Sequence, residues 1–187
     1  MSRHPAVFLD RDGVINRTFV RGGRPYPPER LEDLELLPGV AEAAVALRAA
    51  GFALVVVTNQ PDVATGRQCR VVVEAIHERI RALVPVDAIK VCYHNDADDC
   101  GCRKPRPGML LEAAAEHSLD LSRAFMVGDR WRDIAAGSAA GCRTILVGDG
   151  YGERFPVSPD AAAGSLAEAA RLILSWRGRV LPRPTTS

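Results

Sequence analysis

The chain has 187 residues, a formal net charge of +1 and a hydrophobic fraction of 47%. This length suits a single globular domain, which we expect over residues 1–177, followed by a short tail over residues 178–187. The near-zero net charge gives no electrostatic reason to expect nucleic acid as a partner, and no apolar run is long enough to predict a membrane-spanning helix.

Apolar runs alternate with helical patterns along the chain. The runs that we predict as strands are Ala6–Leu9, Ala53–Val57, Ala88–Cys92, Ala124–Val127 and Thr144–Val147. Apart from Lys90 and Thr144 they are apolar throughout, and continuous apolar runs are typical of a parallel sheet covered on both faces. Helical patterns occupy residues 39–50 and 72–83 and begin again after Ser165, where Glu168 completes a capping-box pattern. We therefore predict an α/β fold with a doubly wound parallel sheet.

Residues 17–37 lack a regular pattern between the first strand and the first helix. They contain three prolines and the pair Gly22-Gly23. We predict a loop or small flap here that arches over the end of the first strand.

Two aspartates stand one residue apart after the first predicted strand. Residues i and i+2 of a strand point to the same side, so Asp10 and Asp12 should converge at its carboxyl end. Two carboxylates this close repel each other unless a cation neutralises them, and Mg²⁺ is suited to oxygen ligands. One carboxylate could then attack phosphorus while the other moves a proton. An ordinary turn with two solvated aspartates is the alternative.

Three later elements carry polar groups of the same chemistry. Thr58 and Asn59 follow the second predicted strand and could bind phosphate oxygens, or could simply begin a turn. Lys104, one of only two lysines, could stabilise a transferring phosphoryl group, or belong to a solvated basic turn. Asp129 follows the fourth predicted strand, and Asp133, one helical turn later, could lie just outside the metal ligands or cap local amides. The alternative for this segment is an ordinary helix start.

Four metal-binding side chains crowd into one polar loop: Cys92, His94, Cys100 and Cys102. Three thiolates and one imidazole form a complete tetrahedral set for Zn²⁺, and four protein ligands leave no open position, so we predict a structural zinc. A chance cluster of buried cysteines is the alternative. The odd cysteine count and a stretch before the first strand too short for a signal peptide favour a cytoplasmic protein without disulfides, which we expect to be a monomer.

Together these motifs resemble one group within the haloacid-dehalogenase (HAD) superfamily, the capless zinc-containing phosphatases. The resemblance rests on four segments: FLDRDGVIN at 8–16, VVVTNQ at 55–60, the CxH…CxC loop, and CRKPRPGM at 102–109. It implies a HAD-like Rossmannoid fold with no separate cap domain. It also implies Mg²⁺-dependent hydrolysis of a phosphorylated sugar, with a heptose bisphosphate favoured over histidinol phosphate as the substrate. A non-catalytic HAD-like binding protein is the alternative of another class.

The resemblance also assigns catalytic roles. Asp10 would attack phosphorus and form an aspartyl-phosphate, and Asp12 would act first as acid and then as base. Thr58 and Lys104 would complete the catalytic group. Mg²⁺ would be held by Asp10, Asp129 and the backbone carbonyl of Asp12.

Substrate recognition is implied less specifically. By the same resemblance, Asn59, Arg103 and Arg130 would bind the substrate. Two departures from the family pattern, Pro61-Asp62 and Arg130 itself, lie at the expected mouth of the site and leave the identity of the sugar open. Because Cys102 directly precedes Arg103, we expect zinc removal to lower activity by loosening the loop that carries Lys104.

Overall fold

The computed structural model describes residues 3–177 and has an all-parallel, six-stranded sheet at its centre. The strands in these residues are β1 (Ala6–Leu9), β2 (Phe19–Arg21), β3 (Arg24–Tyr26), β4 (Ala53–Asn59), β5 (Ala88–Cys92), β6 (Phe125–Gly128), β7 (Arg143–Val147) and β8 (Ala161–Ala163). The α-helices of the same part of the chain are α1 (Val40–Ala49), α2 (Arg70–Leu83), α3 (Gly108–Glu116), α4 (Trp131–Ala140) and α5 (Leu166–Trp176).

The strand order in the central sheet is β5-β4-β1-β6-β7-β8. The chain builds outward from β1 to β5, then returns and builds outward in the other direction from β6. The order therefore reverses next to β1, and ligands of open α/β sheets bind at the carboxyl ends of the strands at such a point.

Both faces of this sheet are buried, as the continuous apolar runs predict. Val7 and Leu9 of β1 pack into the apolar cluster to which α1, α2 and α5 contribute buried residues. Ala6 and Phe8 point the other way, into the cluster to which α3 and α4 contribute. The predicted doubly wound α/β fold is confirmed. Within residues 3–177 no helix combines the length and apolarity needed to cross a bilayer.

Several predicted boundaries need correction. Strand β4 extends past its predicted end at Val57 through Thr58 and Asn59, since both residues remain paired with β5. Strand β6 begins at Phe125, one residue later than predicted, and strand β7 begins at Arg143, one residue earlier than predicted. The edge strand β8 was not predicted, because its three alanines lack the β-branched and aromatic residues that indicate a strand.

The predicted flap contains a regular hairpin. Strands β2 and β3 are antiparallel, and the turn is Gly22-Gly23, with φ values of +57° and +75°. A two-residue hairpin turn with positive φ at both positions favours glycine. No separate cap domain interrupts the described chain between β1 and α1.

The start of α5 also differs in one detail from the capping-box prediction. The Ser165 hydroxyl accepts a hydrogen bond from the backbone N–H of Glu168 at 3.2 Å, as expected. The Glu168 carboxylate, however, accepts from Gly164 N at 2.6 Å rather than from the N–H of Ser165. The predicted tail over residues 178–187 lies outside the described residues.

Candidate active site

The carboxyl ends of β1, β4 and β6 meet at one cavity of about 610 Å³. These three strands are neighbours in the sheet, so the polar residues at their ends are brought together although they are distant in sequence. The lining comprises Asp10, Asp12, Thr18, Gly23, Pro25, Tyr26, Pro27, Thr58, Asn59, Gln60, Pro61, Asp62, Arg67, Asp96, Arg103, Lys104, Asp129, Arg130, Arg132, Asp133, Tyr151 and Glu153.

Lys104 lies at the centre of the charged groups and is 2% exposed. Its Nζ is 2.7 Å from Asp10 Oδ1 and 2.5 Å from Asp133 Oδ1, and it donates to the carbonyl of Val57 at 2.7 Å. Burial alone would lower the pKa of Lys104, but the carboxylates of Asp10 and Asp133 outweigh burial and leave that pKa raised. The lysine is therefore a permanently charged group against Asp10.

The carboxylates around Lys104 outnumber it. Burial raises the pKa of Asp10 to about 7; Lys104 opposes the shift, and the charges of Asp133 and Asp12 add to it. Burial, together with repulsion from Asp10 and Asp133, also raises the pKa of Asp129 well above its usual value. A further positive charge between Asp10 and Asp129 would lower both pKa values and keep the two carboxylates ionised.

A divalent cation fits this site. Asp10, Asp129 and Asp133 each offer an oxygen, and the three oxygens lie within 4.8 Å of one another. Asp129 Oδ1 is buried without a hydrogen-bond partner, which is costly unless a ligand satisfies the atom. An oxygen-only donor set of this kind matches the preference of Mg²⁺.

Gly13 allows the carboxylate of Asp129 to lie close to the backbone that follows β1. The residue has φ +88°, and a Cβ built on it would lie 1.9 Å from Asp129 Oδ2. A side chain at position 13 would therefore displace Asp129 as well as strain the backbone.

The Cys-rich loop forms a second group of metal-binding side chains, separate from the carboxylates. The Sγ atoms of Cys92, Cys100 and Cys102 lie 3.2–3.6 Å apart. His94 Nδ1 lies 3.7 Å from Cys92 Sγ and 3.4 Å from Cys102 Sγ. These separations are close to the edges of a tetrahedron with Zn–S bonds of about 2.3 Å, so the donor set and its geometry fit zinc.

Comparisons with known proteins agree with this geometry. A family model described as HAD-hydrolase-like matches residues 101–169. A D-glycero-D-manno-heptose-1,7-bisphosphate 7-phosphatase from Thermosynechococcus vestitus is 38% identical over 192 residues, covering 90% of this chain and 95% of that protein. The D-glycero-beta-D-manno-heptose-1,7-bisphosphate 7-phosphatase of Escherichia coli K12 is also 38% identical and covers 84% of each chain. This chain belongs to the HAD-superfamily heptose bisphosphate phosphatases.

A solved structure of a heptose bisphosphate phosphatase has the same fold. The crystal structure of D,D-heptose 1,7-bisphosphate phosphatase from B. bronchiseptica, complexed with magnesium and phosphate, is similar with a TM-score of 0.79 at 34% identity. The match covers 91% of this chain and 98% of that one. The predicted HAD-like fold without a cap domain is thus that of the family.

In this HAD phosphatase, the sequence-predicted catalytic residues lie together. Asp10, Asp12, Thr58, Lys104 and Asp129 all line the cavity. Thr58 as a residue is almost fully buried, and its hydroxyl accepts a hydrogen bond from Gln60 Nε2 at 2.9 Å.

The three predicted substrate-binding residues also line the cavity, but each already has protein partners. The Asn59 side chain donates to the carbonyl of Lys104 at 3.0 Å and accepts from its N–H at 3.1 Å, so it ties the Lys104 backbone to β4. Arg103 Nε donates to Asp96 at 2.8 Å, and Arg130 pairs with Glu153.

Sequence reasoning missed the residues that hold Asp12. Arg11 donates to the Asp12 carboxylate through Nε and Nη2, Asn16 Nδ2 donates to Oδ1 at 2.9 Å, and Gln60 Nε2 donates to Oδ2 at 2.8 Å. All three stand inside the motifs that carry the family resemblance. Nothing in the spacing, however, indicates that their side chains turn toward Asp12.

Of two further side chains at the site, Asp133 caps a local amide as expected, whereas Tyr151 was not assigned. Asp133 caps α4 by accepting from the Arg130 N–H at 3.0 Å, and it pairs with Lys104 through its other oxygen. The Tyr151 hydroxyl donates to Asp129 Oδ2 at 2.9 Å and lies 3.3 Å from Thr18 Oγ1 of the flap. Tyr151 has φ +55°, unusual for a residue with a side chain, and such backbone strain often accompanies a functional site.

Proposed function

We propose that this phosphatase removes the 7-phosphate of D-glycero-D-manno-heptose 1,7-bisphosphate through an aspartyl-phosphate on Asp10. The observation that carries the proposal is the contact between Lys104 Nζ and Asp10 Oδ1, 2.7 Å apart at the end of β1 and facing a cavity. A phosphoryl group that approaches Asp10 there would meet a buried cation that cannot be displaced into solvent. Such fixed charge is the main contribution that a protein makes to phosphoryl transfer.

We assign two metal ions to the chain. Asp10, Asp129 and the backbone carbonyl of Asp12 would hold Mg²⁺, and Cys92, His94, Cys100 and Cys102 would hold a structural Zn²⁺. When bound, Mg²⁺ supplies positive charge that keeps the carboxylates ionised and orients the phosphate. The unpartnered Asp129 Oδ1 supports the first assignment, and the tetrahedral S₃N donor set supports the second.

The first chemical step transfers the phosphoryl group to the protein. A carboxylate oxygen of Asp10 forms a bond to phosphorus while the bond from phosphorus to the sugar oxygen breaks. Asp12, protonated at this stage, gives its proton to the departing oxygen. Lys104 and Thr58 bind the equatorial phosphoryl oxygens, where charge accumulates.

The second step returns Asp10 to its starting state. Asp12, now a carboxylate, takes a proton from water as the water oxygen bonds to phosphorus and the bond to Asp10 breaks. Inorganic phosphate leaves and Asp12 retains the proton for the next cycle. The two steps use the same two carboxylates in alternating roles.

One arginine of the cavity favours a bisphosphate over histidinol phosphate. Four arginines line the cavity: Arg103 and Arg132 pair with Asp96, Arg130 pairs with Glu153, and the fourth is Arg67. Within residues 3–177 no ion pair involves Arg67, so its guanidinium is available to an anion. A second phosphate would be attracted by Arg67, which histidinol phosphate, with its single phosphate, would leave without a partner. The expected monomeric state and cytoplasmic location stay predictions.

The proposal is tested by measuring Mg²⁺-dependent phosphate release from both anomers of heptose bisphosphate and from histidinol phosphate. We expect the highest kcat/KM for one heptose bisphosphate anomer. Asp10→Asn should release no phosphate and trap no phosphoenzyme, because the amide is a poor nucleophile. A preference for histidinol phosphate would refute the substrate, and an active Asp10→Asn enzyme would refute the covalent route. A wild-type enzyme without Mg²⁺-dependent turnover would favour the non-catalytic alternative.

A further inference from the structure

A fully buried arginine lies directly behind the proposed acid and base. Arg11 is 0% exposed, and its guanidinium donates to the Asp12 carboxylate oxygens from Nε at 3.1–3.2 Å and from Nη2 at 2.9–3.0 Å. A buried guanidinium is stable only when its N–H groups have acceptors. Asp12 occupies one side of the fork, so the other side needs a partner of its own.

His77 of α2 provides that partner. Its Nε2 lies 3.0 Å from Arg11 Nη1, and the residue is 2% exposed. Because arginine can only donate hydrogen bonds, Nε2 must be the acceptor and the ring proton must be on Nδ1. Burial, followed by the charge of Arg11, lowers the pKa of His77 to about 4, so the ring is neutral near pH 7.

The contacts continue to the surface of α2. His77 Nδ1 lies 3.5 Å from Glu74 Oε2, a charge contact that does not reach hydrogen-bond geometry, and the Tyr93 hydroxyl donates to the other oxygen of Glu74. Glu74 therefore favours the tautomer in which Nδ1 carries the proton. A series of contacts thus runs Glu74–His77–Arg11–Asp12, from an exposed carboxylate on a helix to the active-site cavity.

We propose that His77 is a positioning residue for proton transfer by Asp12. The neutral ring fixes the rotation of the Arg11 guanidinium, and Arg11 in turn fixes the Asp12 carboxylate, which reaches the leaving oxygen and the attacking water. Asn16 and Gln60 contact Asp12 as well, so loss of His77 displaces the carboxylate without releasing it. The inference rests on the function proposed above, since it needs Asp12 to move protons in both steps.

If His77 positions Asp12, its loss should slow the two proton transfers and leave the attack of Asp10 on phosphorus unaffected. Attack by Asp10 does not use Asp12, but protonation of a strongly basic sugar oxygen does, and so does activation of water. A nitrophenyl phosphate has a weakly basic leaving group that needs no proton. A His77 variant should therefore transfer the phosphoryl group from nitrophenyl phosphate to Asp10 at the normal rate and then hydrolyse the phosphoenzyme slowly.

The experiment compares His77→Leu, which removes the acceptor, with His77→Gln, whose side-chain oxygen can still accept from Arg11. For His77→Leu we expect kcat on the sugar phosphate to fall about 10- to 100-fold with little change in KM, as for a misplaced catalytic group. With nitrophenyl phosphate, acid quenching should trap phosphoenzyme that wild type does not accumulate. His77→Gln should recover most of kcat and remove the accumulation.

Controls separate this role from ordinary packing. Val73→Ala deletes buried atoms of the same helix, and Glu78→Gln changes its exposed face, so neither should accumulate phosphoenzyme. Glu74 is half-exposed, so Glu74→Ala should fold even if His77→Leu does not. It should lower kcat on the sugar phosphate less than His77→Leu does and should also accumulate phosphoenzyme from nitrophenyl phosphate.

Two results would overturn the positioning role. One is a His77→Leu enzyme that slows phosphoenzyme formation from nitrophenyl phosphate as much as its hydrolysis. The other is folded Glu74→Ala protein with wild-type kinetics on both substrates. Wild-type turnover of nitrophenyl phosphate without turnover of heptose bisphosphate would instead refute the proposed substrate and leave the role of His77 testable.

Discussion

Lys104→Met removes the buried cation that contacts Asp10 and leaves the shape of the site nearly unchanged. The wild-type Nζ contacts Asp10 and Asp133 at 2.7 and 2.5 Å, and both side chains are almost completely buried. Removal of one partner from a buried ion pair costs about 3–5 kcal/mol, because charge is left buried without compensation. In the absence of Mg²⁺ we expect Lys104→Met to lose this much free energy of unfolding near pH 8.

The loss should depend on pH. In wild type the pKa of Asp10 is already raised to about 7, and removal of Lys104 raises it further because Lys104 lowers it. A carboxyl group whose pKa is raised by folding stabilises the folded state below its unfolded pKa, and this contribution is lost as pH rises through the folded-state pKa. The variant should therefore be less impaired at pH 5 than at pH 8, by up to about 1.4 kcal/mol, because pH 8 lies about one unit above the wild-type pKa of Asp10 and one pKa unit corresponds to about 1.4 kcal/mol.

Lys90, the only other lysine, offers a matched control. It pairs with Glu112 and Glu116 at 3.0 and 2.6 Å, but both carboxylates are about half-exposed. Surface pairs contribute about 0–1 kcal/mol, so Lys90→Met should have a small effect. Urea unfolding of both variants with a chelator at pH 5 and pH 8 measures the difference, and phosphate release should show a loss of about 10²- to 10³-fold in kcat for Lys104→Met alone. The reasoning is wrong if the two variants lose equal stability, or if the loss in Lys104→Met is the same at both pH values.

Three further perturbations test the metal sites. Gly13→Ala should weaken Mg²⁺ binding at least 10-fold by calorimetry because its Cβ would overlap Asp129, whereas Gly22→Ala, with open space around its Cβ, should bind Mg²⁺ normally. Tyr151→Phe, which removes the hydroxyl donor to Asp129, should weaken Mg²⁺ binding about 10- to 100-fold; unchanged calorimetry would show that the hydroxyl does not orient that carboxylate. Removal of zinc, verified by elemental analysis in protein still folded by circular dichroism, should lower kcat by loosening Lys104; full turnover in such a sample would show that the loop is ordered without metal.

Much of the scaffold is readable from local patterns. The bounds of β1 follow directly from its apolar run, since a strand buried on both faces leaves a continuous apolar segment. The bounds of β5 match their prediction although this strand lies at the edge of the sheet and has Lys90 at its centre. The polar residues of the four motifs stand at strand ends in the order that the family resemblance requires. Chain order and strand direction were therefore sufficient to place Asp10, Thr58 and Asp129 at one edge of the sheet.

The orientation of side chains at that edge was decided only by tertiary structure. Asn59 turns toward the Lys104 backbone because β4 carries it alongside the loop after β5, and Arg11 can be buried because α2 brings His77 to it. Tyr151 reaches Asp129 from a segment more than twenty residues further along the chain. Sequence periodicity reports which face of an element is buried, and motifs report which chemistry is present. Rotamers and hydrogen-bond partners depend on which elements become neighbours, and that is set by packing across the whole sheet.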